Sequence, residues 1–257
     1  MVDICIITGA GGGIGSAIAL DLAQRGVEVV LLGREVSITP VLQQIQKAGS
    51  FAESLVVDFG EPAKVKEEVE SFLNRRSLKK TGVVLCASTL GSASGSTKSE
   101  LAEFEQVFQV NLVGNLAVLQ ACMPRLLQAR FGRVVFFAGG GAAYAYPLFS
   151  AYSLSKVCTV RLVENLAVEY QPATGLSFVA LAPGAVATPM LKEVEAAGGE
   201  VRTRVDISEP VNFVREYLAS ESNNLSGRFF HVRDDWRRVL TGEKDLKEDQ
   251  WLLRRVL

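Results

Sequence analysis

The sequence is nearly without histidine. His231 is the only one in 257 residues, and it falls in a strand-like run near the end, where it reads as a satisfied strand residue rather than a catalyst or ligand. Cysteine offers no substitute metal chemistry: Cys5, Cys86, Cys122 and Cys158 are widely spaced and form no C-x-x-C, which argues against both a zinc site and a disulfide framework. Charge of one sign is lacking too, because a net charge of -1 with only modest basic clustering leaves no electrostatic footprint for nucleic acid. No uninterrupted apolar run reaches the roughly 18 residues that suggest a membrane span, and Met1-Val2-Asp3 has no basic region ahead of a signal core. The expectation is a soluble, cytoplasmic protein that engages neither membrane nor nucleic acid. Proline-rich and low-complexity linkers are also missing, so one large domain is expected rather than two small ones.

What is present is an ordinary globular composition, 48% hydrophobic and 21% charged. Apolar runs at 4–7, 29–32, 55–57, 83–86, 134–137, 178–181 and 229–232 alternate with helical patterns at 17–24, 38–47, 63–74, 104–130, 151–169 and 209–219. The runs are almost continuously hydrophobic, as strands covered on both faces must be. Seven strands with six crossovers predict an α/β fold, a doubly wound parallel sheet in a single domain, with ligands held beyond the carboxyl ends of the strands.

Two local patterns fall at those ends. In the first, the apolar run 4–7 leads into Thr8-Gly9-Ala10-Gly11-Gly12-Gly13-Ile14-Gly15 and then a helix. Strict G-x-G-x-x-G spacing fails, since a start at Gly9 and Gly11 puts Ile14 in the third place; the pattern is T-G-x-x-x-G-x-G. Glycines there let the backbone approach a pyrophosphate, and the helix start favours its negative charge. In the second, Tyr152 and Lys156 stand four residues apart in a helical segment, so phenol and ammonium share a face. A nearby cation is expected to lower the phenol's pKa toward neutrality and make it an acid or base. A plain surface pair has the same spacing.

With both pieces placed, nearly the whole chain resembles the short-chain dehydrogenase/reductase family, in its branch of about 250 residues. Asp58 after the third strand, Asn111 in Phe108-Gln109-Val110-Asn111, and Pro183-Gly184 followed by Thr188 add to the likeness. The resemblance implies a Rossmann-type fold and hydride exchange between a nicotinamide and a secondary alcohol or ketone. It implies that Tyr152 exchanges the proton, that Lys156 holds the nicotinamide ribose, and that Asn111 anchors a relay water. It places Thr8, Gly9, Gly11, Gly13, Ile14 and Gly15 at the pyrophosphate, Asp58 and Phe59 at the adenine, Ala87 beside the ribose, and Pro183, Gly184 and Thr188 at the carboxamide end. At the end of the second strand, Gly33 stands where NAD-preferring members carry aspartate, and Arg34 could pair with a 2′-phosphate. NADP is favoured and NAD stays possible. The family's subunit interface implies a homodimer or homotetramer through the 104–130 helix and the Tyr152 helix.

Two departures from the family leave function open. A catalytic serine is expected thirteen residues before Tyr152, where Gly139 stands, and 138–143 carries no hydroxyl. Tyr144 is the first-ranked substitute, followed by Ser150, the glycine amides or a bound water. Leu85-Cys86-Ala87-Ser88 also replaces the usual Asn-Asn-Ala-Gly. The chain is therefore either a working NADP(H)-dependent oxidoreductase or a dinucleotide-binding sensor, scaffold or silent subunit. The dinucleotide-binding domain is drawn at 1–233, with 190–206 as a mobile substrate cover. A charged extension, 234–257, is expected to be a surface helix that packs Leu246, Trp251, Leu253 and Leu257 on its own or a neighbouring subunit. Substrate-facing loops at 90–97, 142–149 and 190–206 carry no arginine cluster, which allows a moderately apolar ketone and also a sugar.

Overall fold

The computed structural model describes residues 1–77, 79–170 and 175–254. In chain order the sheet strands are β1 (Ile4–Thr8), β2 (Glu28–Gly33), β3 (Ala52–Val56), β4 (Thr81–Leu85), β5 (Gly132–Phe137) and β6 (Leu176–Ala182). The pair β7 (Ala185–Val186) and β8 (Arg204–Val205) forms a separate ribbon, and β9 (Arg228–His231) closes the main sheet. The helices are α1 (Gly13–Gln24), α2 (Glu35–Lys47), α3 (Pro62–Asn74), α4 (Leu101–Phe108), α5 (Asn115–Ala129), α6 (Ser150–Tyr170), α7 (Pro189–Ala196), α8 (Ser208–Ala219) and α9 (Trp236–Leu240).

The seven-stranded sheet has the order β3-β2-β1-β4-β5-β6-β9 with every neighbour parallel. The chain runs outward from β1 to β3 and then returns to place β4 on the other side of β1. Their carboxyl ends therefore flank the crevice of a topological switch point. Alternation along each strand splits the core in two. Cys5, Ile7, Val29, Leu31, Val135 and Val179 pack toward α1, α2 and α8 on one face. Ile4, Ile6, Val30, Leu32, Val134 and Phe178 pack toward α3, α5 and α6 on the other. Coverage of both faces explains the unbroken hydrophobic runs.

Two expectations change. The helix expected over 104–130 is interrupted by a π-helical turn, Gln109–Gly114. At this turn buried Asn115 donates its side-chain amide to the carbonyls of Val110 (3.3 Å) and Asn111 (3.0 Å), in keeping with the wider i→i+5 winding. The combined stretch Leu101–Ala129 is long and apolar enough by composition to cross a membrane, although no unbroken apolar run marks it. Here 56% of its most apolar window is buried in the fold, with Val118, Leu119 and Leu126 in the second core.

The segment 190–206 is mostly regular. Thr188 caps α7 by accepting from the Leu191 amide (3.4 Å), Pro189 starts the helix, and β8 returns to pair with β7. The C-terminal extension is a strap rather than a surface helix. After α9 it runs in turns along β9, where the Phe229 amide donates to the Trp251 carbonyl (2.8 Å) and Arg228 donates to the carbonyls of Glu248 and Gln250 (both 2.9 Å). Leu246 and Trp251 pack on one core and Leu253 on the other, so the strap covers an otherwise open sheet edge. Buried Glu164 of α6 ties it down by accepting from the Leu253 amide (2.7 Å) and Arg254 (3.0 Å). Leu257 lies outside the described residues.

Candidate active site

The glycine turn occupies the crevice between β1 and β4. Gly9 has φ +63, and a Cβ there would lie 2.8 Å from the Ala87 Cα, so the turn crosses the end of β4 at glycine-only distance. Gly13 abuts the methyl of Thr188, 2.3 Å from an added Cβ. Gly11 packs on Ser37 and Gly15 on the Gly9 carbonyl, with Ile14 partly buried between them. Helix α1 starts at Gly13 with neither a side-chain cap nor an acidic residue in its first turn. The amides of Gly13 and Ile14 are thus available to an anion, with the helix dipole behind them, while the Gly15 amide is engaged by the Cys86 sulfur.

A buried polar ladder fixes this turn to the rest of the site. Thr8 Oγ1 donates to Asn115 Oδ1 (2.6 Å) and accepts from the amides of Cys86 (2.9 Å) and Ala87 (3.0 Å). Asn115 Nδ2 donates in turn to the Ala87 carbonyl (2.9 Å). Asn111 then clamps Thr89, accepting from its amide (2.8 Å) and donating to its carbonyl (2.9 Å), and donates also to Ser155 Oγ (3.0 Å). Ser155 donates to the Tyr152 carbonyl (2.6 Å). The chain of bonds thus runs from β1 through β4 and the π-helical turn to α6. Asn115 and Ser155 were missed in the sequence; the only signal for Asn115 was an amide side chain on the sheet-facing side of an apolar helix.

At the far end of the ladder lie the phenol and the ammonium. Lys156 is buried, 3% exposed, and donates to the Phe137 carbonyl (3.0 Å), with its nitrogen 5.3 Å from the centre of the Tyr152 ring. Burial pulls the ammonium down to about 8, against a smaller opposing effect from Cys86. Burial pushes the Tyr152 phenol well above its usual range, and the Tyr146 phenol and Cys86 thiol add to that. This overturns the expected lysine-lowered phenol. Lys156 spends a hydrogen bond on a backbone carbonyl and faces the ring, and desolvation outweighs its attraction. Tyr152 is accordingly a protonated donor at neutral pH. Cys86 sits by Lys156 with its own thiol pushed up to about 11 by burial.

Gly139 lies against the Tyr152 hydroxyl: a Cβ on it would be 3.1 Å from Oη, and its extended backbone (φ 168) suits any residue. The expected hydroxyl substitutes have contacts of their own. Tyr144 is 57% exposed, with the Arg202 guanidinium 4.3 Å from its ring centre. Ser150 is engaged with Ser96 Oγ (2.6 Å). The short 3-10 turn Gly140–Ala142 reverses the chain so that Tyr146 faces the site, its ring 6.4 Å from that of Tyr152. Around them Leu90, Phe149 and Val194 are buried, with Leu148, Met190 and Val201 packed against them, forming an apolar wall.

At the other end of the crevice a cavity of about 260 Å³ is lined by Arg34, Glu35, Val57, Asp58, Lys64 and Glu68. Lys64 is a second cation that the sequence reading did not place there. Asp58 lines this cavity while its carboxylate also accepts from the Gly60 amide (2.8 Å). Phe59, expected at the adenine, is turned into the core and 7% exposed. Pro183 is buried at the end of β6, and Gly184 has φ +75 with an added Cβ 3.1 Å from His231 Nε2. His231 is only half satisfied: Nδ1 accepts from the Arg233 amide (3.2 Å), whereas buried Nε2 has no partner among the described residues.

Comparison with known proteins agrees with this arrangement. A short-chain dehydrogenase/reductase of Armillaria gallica is 28% identical over 247 aligned positions, covering 89% of this chain and 94% of its own. Mouse (Mus musculus) 17-beta-hydroxysteroid dehydrogenase type 3 is 26% identical, covering 93% of this chain and 82% of its own. The crystal structure of a putative short chain dehydrogenase from Escherichia coli CFT073, complexed with NADPH, superposes with a TM-score of 0.76 at 25% identity over 90% of this chain and 96% of its own. The family model described as short chain dehydrogenase matches residues 3–198, from β1 through α7. A match that includes the glycine turn, the Asn111 ladder and the Tyr152–Lys156 helix shows that the protein belongs to the short-chain dehydrogenase family.

Proposed function

We propose that this protein is an NADP(H)-dependent oxidoreductase interconverting a ketone and a secondary alcohol, with Tyr152 as the acid and base. The reading is carried by one observation: the Tyr152 phenol stands beside the buried Lys156 ammonium at an apolar wall, joined by a buried hydrogen-bond ladder to a glycine turn that leaves the first amides of α1 for a pyrophosphate. The glycine turn and the cavity between β2 and β3 fit a dinucleotide. Gly9, Gly13 and the leading amides of α1 would hold its pyrophosphate, and Arg34 with Lys64 would meet a 2′-phosphate, which supports NADP over NAD. The cofactor, when bound, supplies or accepts the hydride.

Everything else falls to the chain's own residues. Tyr152 gives its proton to the carbonyl oxygen during reduction and takes it back in the reverse direction. Lys156 orients the ribose side of the site, and Asn111 keeps the backbone of Thr89 and, through Ser155, of Tyr152 in register. The apolar wall of Leu90, Phe149 and Val194 favours a hydrophobic ketone and excludes water around it. The names of the mouse hydroxysteroid dehydrogenase and of levodione reductase, a 25% identical structural neighbour with a TM-score of 0.77, point to ring-bearing substrates in relatives. Exposed Leu101, Val113, Leu154 and Val168 give α4, the π-helical turn and α6 an apolar outer face suited to a second copy of the chain. Cofactor consumption with cyclic and aromatic ketones tests the reading. NADPH should be used in preference to NADH, and Arg34→Ala with Lys64→Ala should remove that preference. Equal use of both cofactors by the unaltered protein would contradict the NADP assignment.

A further inference from the structure

The reading above leaves one chemical gap, and the following inference rests on that reading. As a carbonyl carbon receives a hydride, negative charge develops on its oxygen and is best stabilised by more than one donor, and the backbone position beside the Tyr152 hydroxyl is a glycine. The hydroxyls between Tyr144 and Ser155 can be sorted by what they already do. Ser150 is bonded to Ser96, Ser153 to the Ser150 carbonyl, and Ser155 to the Tyr152 carbonyl. Tyr144 is solvent-facing beneath Arg202. Tyr146 alone joins the same apolar cluster as Tyr152 without a hydrogen-bond partner for its hydroxyl among the described residues.

Its ring is also held in place. It stacks on Phe149 (5.5 Å between centres, 30° between planes) and lies 6.4 Å from the Tyr152 ring. We propose that Tyr146 is a catalytic residue that donates the second hydrogen bond to the substrate oxygen, and that the substrate is an apolar ketone gripped between two phenols. Tyr152 loses its proton to the new alcohol O–H; Tyr146 keeps its own and only stabilises the developing negative charge. Burial and the Glu200 carboxylate both hold the Tyr146 phenol in its protonated form, as a donor requires.

Tyr146→Phe keeps the stacking and deletes only the hydroxyl. With acetophenone and cyclohexanone as probes and NADPH as reductant, kcat should fall on the order of 10²–10³-fold while NADPH affinity and melting temperature stay unchanged. Gly139→Ser in the Tyr146→Phe background should restore at least tenfold of that loss, because a serine there starts 3.1 Å from Tyr152 Oη. If the unaltered protein reduces these ketones, Tyr152→Phe does not, and Tyr146→Phe is within twofold of the unaltered rate, the inference fails and the oxidoreductase reading stands. If the unaltered protein reduces no ketone with either cofactor, the reading fails and takes Tyr146 with it.

Discussion

Holding Lys156 as a cation inside the site should cost the fold measurable stability. Its pKa falls from an ordinary 10.5 to about 8 because the ammonium is desolvated. At about 1.4 kcal/mol per pH unit, this corresponds to roughly 3 kcal/mol at neutral pH. The hydrogen bond to the Phe137 carbonyl returns about 1 kcal/mol. Lys156→Met retains the linear apolar stem and removes the charge, so it should stabilise the protein by about 1–2 kcal/mol at pH 7, raising Tm by about 2–8 °C, while abolishing turnover. The sign follows from proton counts. Between pH 8 and 10.5 the unfolded chain holds a proton that the folded chain has released, so stability rises with pH; the penalty is complete below pH 8 and gone above 10.5. Calorimetric or denaturant melts of both proteins from pH 7 to 10.5 should show the variant's advantage shrinking across that window. A variant less stable than the parent at pH 7, or a gap independent of pH, would refute the claim that desolvation dominates at this lysine.

Two further outcomes test how the site is assembled. Asn115→Ala leaves Thr8 without its acceptor and removes one donor from each of the Ala87, Val110 and Asn111 carbonyls, so unfolding free energy should drop by about 3 kcal/mol and NADPH affinity should weaken at least tenfold; a change under about 0.5 kcal/mol would show the ladder to be dispensable. Gly13→Ala should cost about 1–3 kcal/mol through overpacking against Thr188, and Thr188→Ser, which deletes the opposing methyl but keeps the helix cap, should recover more than half of it; additive behaviour of the two substitutions would deny the contact.

The parts of this molecule set by periodicity were legible from residues alone. Runs such as 29–32 and 178–181 mark strands because both sheet faces are covered, and strict alternation of helix with strand forces the parallel order. The glycine turn was legible because Gly9 and Gly13 touch the protein itself, not only a ligand. What escaped the sequence depends on contacts between distant segments. Lys64 reaches the Arg34 cavity only because α3 follows β3 closely, and nothing in its own neighbourhood marks it. Tyr144 and Tyr146 are equivalent in a linear reading; packing against Phe149 and Tyr152 is what sets Tyr146 apart. The C-terminal strap read as a helix because its apolar spacing is compatible with one, whereas the open edge of β9 holds it as a run of turns. The phenol's direction of titration was misjudged because charge spacing was visible and burial was not.

The central claim is that Tyr152 completes hydride transfer in this cleft, and isotope transfer tests it most directly. Incubating the protein with a ketone and NADPH carrying deuterium at the transferable position of the nicotinamide should yield an alcohol one mass unit heavier, with deuterium on the carbinol carbon. Tyr152→Phe should yield none above background. Unlabelled alcohol, no alcohol, or equal deuterium transfer by the Tyr152→Phe protein would contradict it.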